Sequence, residues 1–203
     1  MLPAVIGVLP ALKESEASSL MFESRQFVSS PLKNDEINAQ TRHSMKNDDI
    51  DWLRYQLFEL TKALKGYRGS RYLAALVLAL TRVLRVRHVF VGQAIDNTSV
   101  NALFFADRSN LQKPFTYQLA GTACIQVIQG TAMLVPCDLS KKYPAHAGMD
   151  SYVGLPLKTP EGKVIGLLSL MDEGALVGEN RIAELFALIV DRVATELQYV
   201  AYE

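Results

Sequence analysis

Two apolar segments separated by a four-residue turn constrain the fold of this chain more than any other feature. The segments are residues 151–158, SYVGLPLK, and residues 163–171, KVIGLLSLM, on either side of Thr159-Pro160-Glu161-Gly162. Proline and glycine in such a turn predict a β-hairpin. Both alternating sets of positions are apolar in each strand, so both faces of the sheet must be covered. We expect helices on one face, and a short helix with loops on the other, over a cavity for a small ligand.

The elements around this hairpin predict an α+β fold. Apolar periodicity predicts helices over residues 48–66, after Ser70 and over residues 179–201, and a shorter helix over residues 121–130. Apolar runs bounded by turn residues predict strands over residues 88–95, 102–106, 115–119 and 131–136. We therefore expect a central antiparallel β-sheet of five to six strands. The N- and C-terminal helices should pack on one face of the sheet, with a small-ligand pocket on the other.

Three regions of different character follow each other along the chain. Residues 1–47 are rich in polar side chains without a sustained apolar period, which predicts a flexible N-terminal arm. Residues 48–66 predict an N-terminal helix for dimerisation or signalling, and residues 67–203 a single folded domain.

Charge and cysteine content narrow the possible partners and the compartment. The 21 lysine and arginine residues balance 21 aspartate and glutamate residues, and the chain has two cysteines. A nucleic-acid-binding or membrane-surface protein usually carries a basic excess, so neither partner is expected. Two cysteines are too few for a disulfide framework and are typical of a reducing compartment. Without a convincing signal peptide or a membrane-spanning segment, the chain is expected to be cytoplasmic.

The sequence contains few patterns that are typical of catalytic sites. The sequence has no phosphate-binding glycine loop, nucleophile elbow or paired-histidine helix, and Cys124, Cys137 and His146 match no zinc spacing, so no cofactor or metal is expected. Cys124 stands near a predicted helix N-terminus, where its pKa would be lowered, so that a redox pair with Cys137 is one interpretation. The simpler interpretation is that both cysteines are small buried apolar residues.

From Tyr117 to Asp172 the sequence resembles the GAF domain family, in the subtype found in bacterial sensors. The residues that carry the likeness are Tyr117-x-Leu119-x-Gly121-Thr122-x-Cys124, Val127, Gly130, Tyr143-Pro144, Ser151-Tyr152-x-Gly154-x-Pro156-Leu157, Gly162-x-x-Ile165-Gly166-x-Leu168 and Met171-Asp172. The resemblance implies a sensory domain that binds a small molecule. The segment after Tyr143-Pro144 is shorter and less acidic than is usual in this subtype. The Asn-Lys-Phe-Asp-Glu signature of cyclic-nucleotide GAF domains and a bilin-attachment cysteine are not found.

The sequence leaves three functions open. The first is a non-catalytic regulatory domain that binds an unidentified small molecule in signal transduction and reports to an unknown output protein. Its expected pocket walls are Phe105, Tyr117, Cys124, Val135, Tyr152 and Ser169. The second is a thiol redox switch, or an enzyme like the GAF-type free methionine sulfoxide reductases, that uses Cys124 and Cys137, although the three-cysteine pattern of those reductases is lacking. The third is a dimerisation scaffold with a vestigial pocket.

The terminal helices also predict a homodimer. Ile50, Leu53, Leu57, Leu60 and Leu64 are spaced three and four residues apart, as in the seam of a helix bundle. The last helix has apolar residues beyond one stripe, so the helices of two subunits are expected to meet about a two-fold axis. In the competing interpretation, the first helix folds back on its own sheet.

Overall fold

The computed structural model describes residues 47–200 of the chain. The predicted arm therefore lies outside the described residues, except for Asn47, which begins the first helix. The helices are α1 (Asn47–Leu64), α2 (Gly69–Leu84), α3 (Cys124–Ile128), α4 (Leu139–Lys142) and α5 (Glu179–Val200). The strands are β1 (His88–Ala94), β2 (Ser99–Asp107), β3 (Asn110–Gln112), β4 (Phe115–Gln118), β5 (Met133–Val135), β6 (Ser151–Lys158) and β7 (Val164–Asp172).

All strands join one antiparallel sheet, so the predicted α+β fold is confirmed. The strand order is β3-β2-β1-β7-β6-β5, and β4 pairs with β2 as well. The described residues form seven strands rather than five or six, because β2 is long enough to pair with β4 near its start and with β3 near its end. The predicted hairpin is β6–β7, closed by a turn in which the Gly162 N–H donates to the Thr159 carbonyl at 2.9 Å.

The three long helices cover one face of the sheet, which we call the helix-covered face. Helices α2 and α5 pack against the strands, and α1 packs against α2 and α5 rather than against the sheet. The buried side chains of this layer are mostly aliphatic, and they include Leu73, Leu76, Leu80, Leu168, Leu170 and Leu185. The apolar stripe of α1 therefore packs largely against helices of its own chain, since Leu53 and Leu60 are buried in this core.

A buried carboxylate fixes the start of α2. The Glu196 side chain of α5 accepts the Gly69 N–H at 2.5 Å and pairs with Arg192 at 2.5 Å. The N-terminus of a helix has backbone N–H groups without partners and favours negative charge, so this contact stabilises α2 and ties it to α5. The helix begins at Gly69, one residue before Ser70, whereas the sequence predicted that it begins after Ser70. Among the described residues, no helix is both long and apolar enough to cross a membrane.

Candidate functional site

The other face of the sheet is covered by short elements and loops, and we call it the loop-covered face. Helix α3 packs across β6 and β7, and α4 and a 3-10 turn at Pro144–His146 follow β5. Its buried apolar residues are Phe90, Val100, Ala102, Leu119, Ala123, Cys124, Val127, Ile128, Met133, Val135, Leu139, Tyr152 and Leu167. This layer is separate from the core on the helix-covered face, and it contains aromatic rings and polar groups.

Tyr152 lies at the centre of this face and is fully buried. Its ring lies over Gly154 two residues along the strand, where a Cβ atom would collide with the ring. Gly154 pairs with Ser169 across the sheet, so the Tyr152 hydroxyl reaches the Ser169 hydroxyl at 2.8 Å. The same hydroxyl donates to the Cys124 sulfur at 3.4 Å. Burial raises the pKa of Tyr152 well above its usual value, so the phenol stays neutral.

Tyr117 brings a second phenol to this layer from β4. Its hydroxyl is buried and has no hydrogen-bond partner of normal geometry among the described residues, and the Cys124 thiol beside it interacts with it weakly. Burial raises the pKa of Tyr117, and the neighbouring Cys124 raises it further. The ring lies edge-on to Phe90, with 6.2 Å between ring centroids, and beside Phe115, which in turn meets Phe105. Aromatic side chains thus pack against the Tyr117 ring, and its hydroxyl can still donate or accept a hydrogen bond.

His146 attaches the covering loop to α3. Its Nε2 accepts the N–H of Ala123, at the start of α3, at 3.1 Å, and its ring lies 5.9 Å from that of Tyr152. Burial lowers the pKa of His146 to about 4, so the imidazole is neutral at pH 7. Because Nε2 accepts a backbone N–H, it is not available as a base for the Cys124 thiol.

The structure places the six residues expected to line a pocket on the same side of the sheet. Tyr152, Cys124 and Ser169 are hydrogen-bonded together, and Val135 pairs with Tyr152 across β5 and β6. Phe105 and Tyr117 lie in the neighbouring aromatic group. Sequence reasoning missed Phe90 and His146. The alternation in β1 could have identified Phe90, whereas the role of His146 depends on a contact between a loop and a distant helix.

The structure contradicts the interpretation in which the pKa of Cys124 is lowered. Cys124 does lie in the first turn of α3, but it is fully buried, and burial raises the pKa of its thiol more than neighbouring hydroxyls lower it. A five-residue helix in an apolar layer does not offset the loss of hydration. Cys137 is exposed, so the simpler interpretation that both cysteines are buried is wrong for Cys137, and both thiols are free. Within residues 47–200, no three His, Cys, Asp or Glu side chains are grouped to hold a metal ion.

Comparisons with known proteins agree with this architecture. The sequence model of the GAF domain matches residues 70–197. No curated protein matches the sequence.

Solved structures show the same fold at low sequence identity. The GAF domain of A. aeolicus Nlh2 in an inactive state is 15% identical, with a TM-score of 0.56 over 74% of this chain and 98% of that one. The GAF domain of an Acinetobacter phosphoenolpyruvate-protein phosphotransferase is 14% identical, with a TM-score of 0.53 over 78% and 98%. The free methionine-R-sulfoxide reductase of Neisseria meningitidis, solved with its substrate, is 17% identical, with a TM-score of 0.55 over 77% and 95%.

Proposed function

Because the chain belongs to the GAF domain family, we propose that it is a non-catalytic regulatory domain of cytoplasmic signal transduction that binds a small molecule on its loop-covered face. Family membership supports a sensory or regulatory role. The ligand class follows from the chemistry of this face, where neutral hydroxyls lie among aromatic and aliphatic side chains. Such a layer suits an uncharged, largely apolar or aromatic molecule with one or two hydrogen-bonding groups.

One observation carries this proposal: the buried Tyr117 hydroxyl has no hydrogen-bond partner of normal geometry among the described residues, only the weakly interacting Cys124 thiol beside it. A buried hydroxyl without a hydrogen bond costs about 1–3 kcal/mol, and nearly all such groups in native proteins are paired. A ligand with a hydrogen-bonding group beside the rings of Phe90 and Phe115 would supply that partner. We therefore propose that the Tyr117 hydroxyl is the group that recognises the ligand.

A thermal-shift screen with a broad library of uncharged metabolites tests this proposal. A compound that binds only the folded domain stabilises it and so raises its melting temperature. At a ligand concentration of a hundred times the dissociation constant, the gain in unfolding free energy is about 2.7 kcal/mol. Tyr117→Phe should abolish most of that rise while leaving the free domain as stable as before, or more so, because it removes an unpaired buried group. Tyr67→Phe, at an exposed tyrosine, is the matched control. A free domain that loses stability on Tyr117→Phe would show that the hydroxyl serves the fold instead.

A thiol redox switch or a reductase-like enzyme is the second candidate. It is favoured by the free Cys124 thiol within the aromatic layer and by the fold shared with a free methionine-R-sulfoxide reductase. The burial and raised pKa of Cys124 favour the non-catalytic function, because the thiolate is the reactive form. Labelling native protein with a thiol reagent at neutral pH separates the two. Labelling of Cys124 as fast as the exposed Cys137 would favour the redox function.

A scaffold with a vestigial pocket is the third candidate, and the position of Tyr152 favours it. The ring fills the space above Gly154 near the centre of the face. A library in which no compound raises the melting temperature would support this candidate. In that case the remaining function is dimerisation.

We also propose that two copies of the chain associate through the terminal helices and act on an output protein still to be identified. Large apolar side chains remain exposed there: Tyr55 and Phe58 on α1 are 61% and 64% exposed, and Leu188 on α5 is 55% exposed. Tyr55 and Phe58 lie one turn apart on a helix that packs against α5, so a second copy can cover both helices in an isologous contact. Leu60, in the predicted seam, is buried within its own subunit and is not available to a partner.

Light scattering of wild type and of Tyr55→Asp with Phe58→Asp tests the dimer. Wild type should have the mass of two chains, and the double variant that of one without loss of its unfolding transition. Tyr67→Asp, an exposed aromatic in the α1–α2 connection, should leave the mass unchanged. A wild-type mass of one chain at micromolar concentrations would contradict this proposal.

A further inference from the structure

A cleft of about 440 Å³ lies at one end of the sheet, and none of its lining residues belongs to the loop-covered face. It is bounded by the last turn of α2, the start of β1, the β2–β3 turn and the end of β7. Four arginines line it: Arg82, Arg85, Arg87 and Arg108. Its volume is in the range of small-molecule sites, about 300–1,000 Å³.

Strand pairing brings two of these arginines together. His88 of β1 pairs with Asp107 of β2, and the N–H of the next residue, Arg108, donates to the Arg87 carbonyl at 2.5 Å. Like charges on neighbouring strands repel each other unless an opposite charge lies between them. Glu173 lies between them, since its carboxylate pairs with Arg87 and, at 3.4 Å, with Arg108. Asp107 also pairs with Arg87, at 3.3 Å.

The other two arginines form no ion pair with the described residues. Arg82 and Arg85 are exposed, and no carboxylate of residues 48–200 lies within 4 Å of either. The carboxylates of Asp172 and Glu173 line the cleft and that of Asp107 pairs with Arg87, so the four guanidinium groups leave one positive charge in excess. The chain as a whole has a net charge of zero, so this excess is a local feature.

The backbone gives independent support for a role of these side chains. Arg85 and Arg108 have left-handed conformations, with φ of 55° and 56°. Arg85 ends α2 at a position where glycine is the usual residue. An arginine in this region costs stability that glycine would not, and such positions concentrate at functional sites. Two arginines thus occupy positions that favour glycine, and both line the same cleft.

We propose that this cleft is a second ligand site, which binds a phosphate-bearing small molecule. The planar guanidinium group forms paired hydrogen bonds with phosphate oxygens, and arginines on three separate elements surround one volume. Glu173 acts as an internal counter-ion that holds Arg87 and Arg108 in place until the ligand displaces it. The site lies outside the loop-covered face, so it is independent of the small-molecule site proposed there.

Calorimetric titration with inorganic pyrophosphate at low ionic strength tests this site. The key variant is Arg85→Gly with Arg108→Gly, which removes two guanidinium groups and places glycine where the backbone favours it, so the fold should be kept or stabilised. Lys62→Ala with Lys65→Ala removes the same charge from exposed positions elsewhere. Wild type and the lysine control should bind equally, and the arginine variant at least about tenfold more weakly, because it lacks two groups that form charge-assisted hydrogen bonds with phosphate oxygens.

Glu173→Gln gives a test with the opposite sign. Removing the internal counter-ion should strengthen pyrophosphate binding several-fold, because the ligand no longer competes with a carboxylate. The proposal is overturned by a wild type that does not bind pyrophosphate, by equal binding of wild type and the arginine variant, or by weaker binding of Glu173→Gln. Each of these outcomes is separable from the ligand screen on the loop-covered face, which uses uncharged compounds and Tyr117→Phe.

Discussion

The two faces of the sheet differ in what covers them and therefore in what they contain. On the helix-covered face, three helices of 16 to 22 residues bury an almost entirely aliphatic layer. On the loop-covered face, a five-residue helix and turns cover a layer rich in aromatic rings, with two phenols, a thiol and a neutral histidine. Long helices supply enough apolar surface to close a core in which few polar groups are buried. Short segments do not, and the polar groups buried under them are the material for recognition.

The polar groups of the two faces are satisfied differently. On the helix side, the buried Glu196 carboxylate is paired with Arg192 and caps α2. On the loop side, Tyr152 and Ser169 satisfy each other, whereas Tyr117 has no partner of normal geometry among the described residues. On the helix side, the Oε2 atom of Glu184 in α5 is likewise buried without a partner among these residues. The contrast between the faces therefore lies in what covers them and in the chemistry of the groups buried there. Four predictions about the two faces follow from it, of which the ligand test on Tyr117 has been given above.

A matched pair of leucine truncations should show the largest difference between the faces. Leu185 of α5 and Leu139 of α4 are both fully buried, one on each face. Leu185→Ala should cost about 4 kcal/mol of unfolding free energy, near the upper end for such changes, because packed long helices cannot close the cavity. Leu139→Ala should cost about 2–3 kcal/mol, because a one-turn helix can move inward.

Urea unfolding of both variants against wild type measures these costs. Equal slopes with denaturant are needed for the comparison, because a changed slope signals a changed denatured or native state. If Leu139→Ala is as costly as Leu185→Ala, the loop-covered face is packed as rigidly as the helix-covered one, and the contrast between them fails.

Acid should weaken the loop-covered face through His146. Its pKa is about 4 in the folded domain, below the usual value of 6.5, so the unfolded chain takes up the proton first as the pH falls. The stability from this group is fully present above pH 6.5 and is lost as the pH falls from 6.5 to 4, by about 3 kcal/mol in all. His146→Gln, which keeps an acceptor for the Ala123 N–H and does not titrate in this range, should lack this component.

The difference in unfolding free energy between wild type and His146→Gln, measured from pH 7.5 to 4.5, isolates the histidine from other acid effects. That difference should shift steadily in favour of the variant below pH 6.5. A constant difference would mean that His146 is protonated as easily in the fold as in the unfolded chain, and that the covering loop is open to water.

Much of this architecture could be predicted from the sequence, because local patterns specify it. The turn at residues 159–162 and the two-sided apolar strands predict the β6–β7 hairpin, and strand alternation places Tyr152 and Val135 on one face. Strand β3 was not predicted, since Asn110–Gln112 is exposed and has no apolar pattern. It forms because β2 offers a free edge.

The remaining misses depend on contacts between distant residues. The cap of α2 comes from Glu196, separated from Gly69 by 127 positions, and no local pattern connects them. The raised pKa of Cys124 depends on how completely β6, β7 and the loops enclose α3. Position at a helix start predicts a lowered pKa, and only the tertiary fold reveals that loss of hydration outweighs it.

The smallest expected effect concerns the contact that fills the centre of the loop-covered face. Gly154→Ala should cost about 2 kcal/mol, because the new Cβ collides with the Tyr152 ring and the layer must shift. In a Tyr152→Val background the ring is gone, and Gly154→Ala should be neutral or stabilise the domain by about 0.5 kcal/mol, since alanine is more favourable than glycine within a strand. Urea unfolding of the four proteins gives the coupling between the two positions.

The same cost in both backgrounds would mean that the ring does not lie over Gly154, and that the space above Gly154 is open to a ligand. A strong coupling would place Tyr152 there in the free domain, so that any ligand on this face binds beside the ring, near Tyr117, or displaces it.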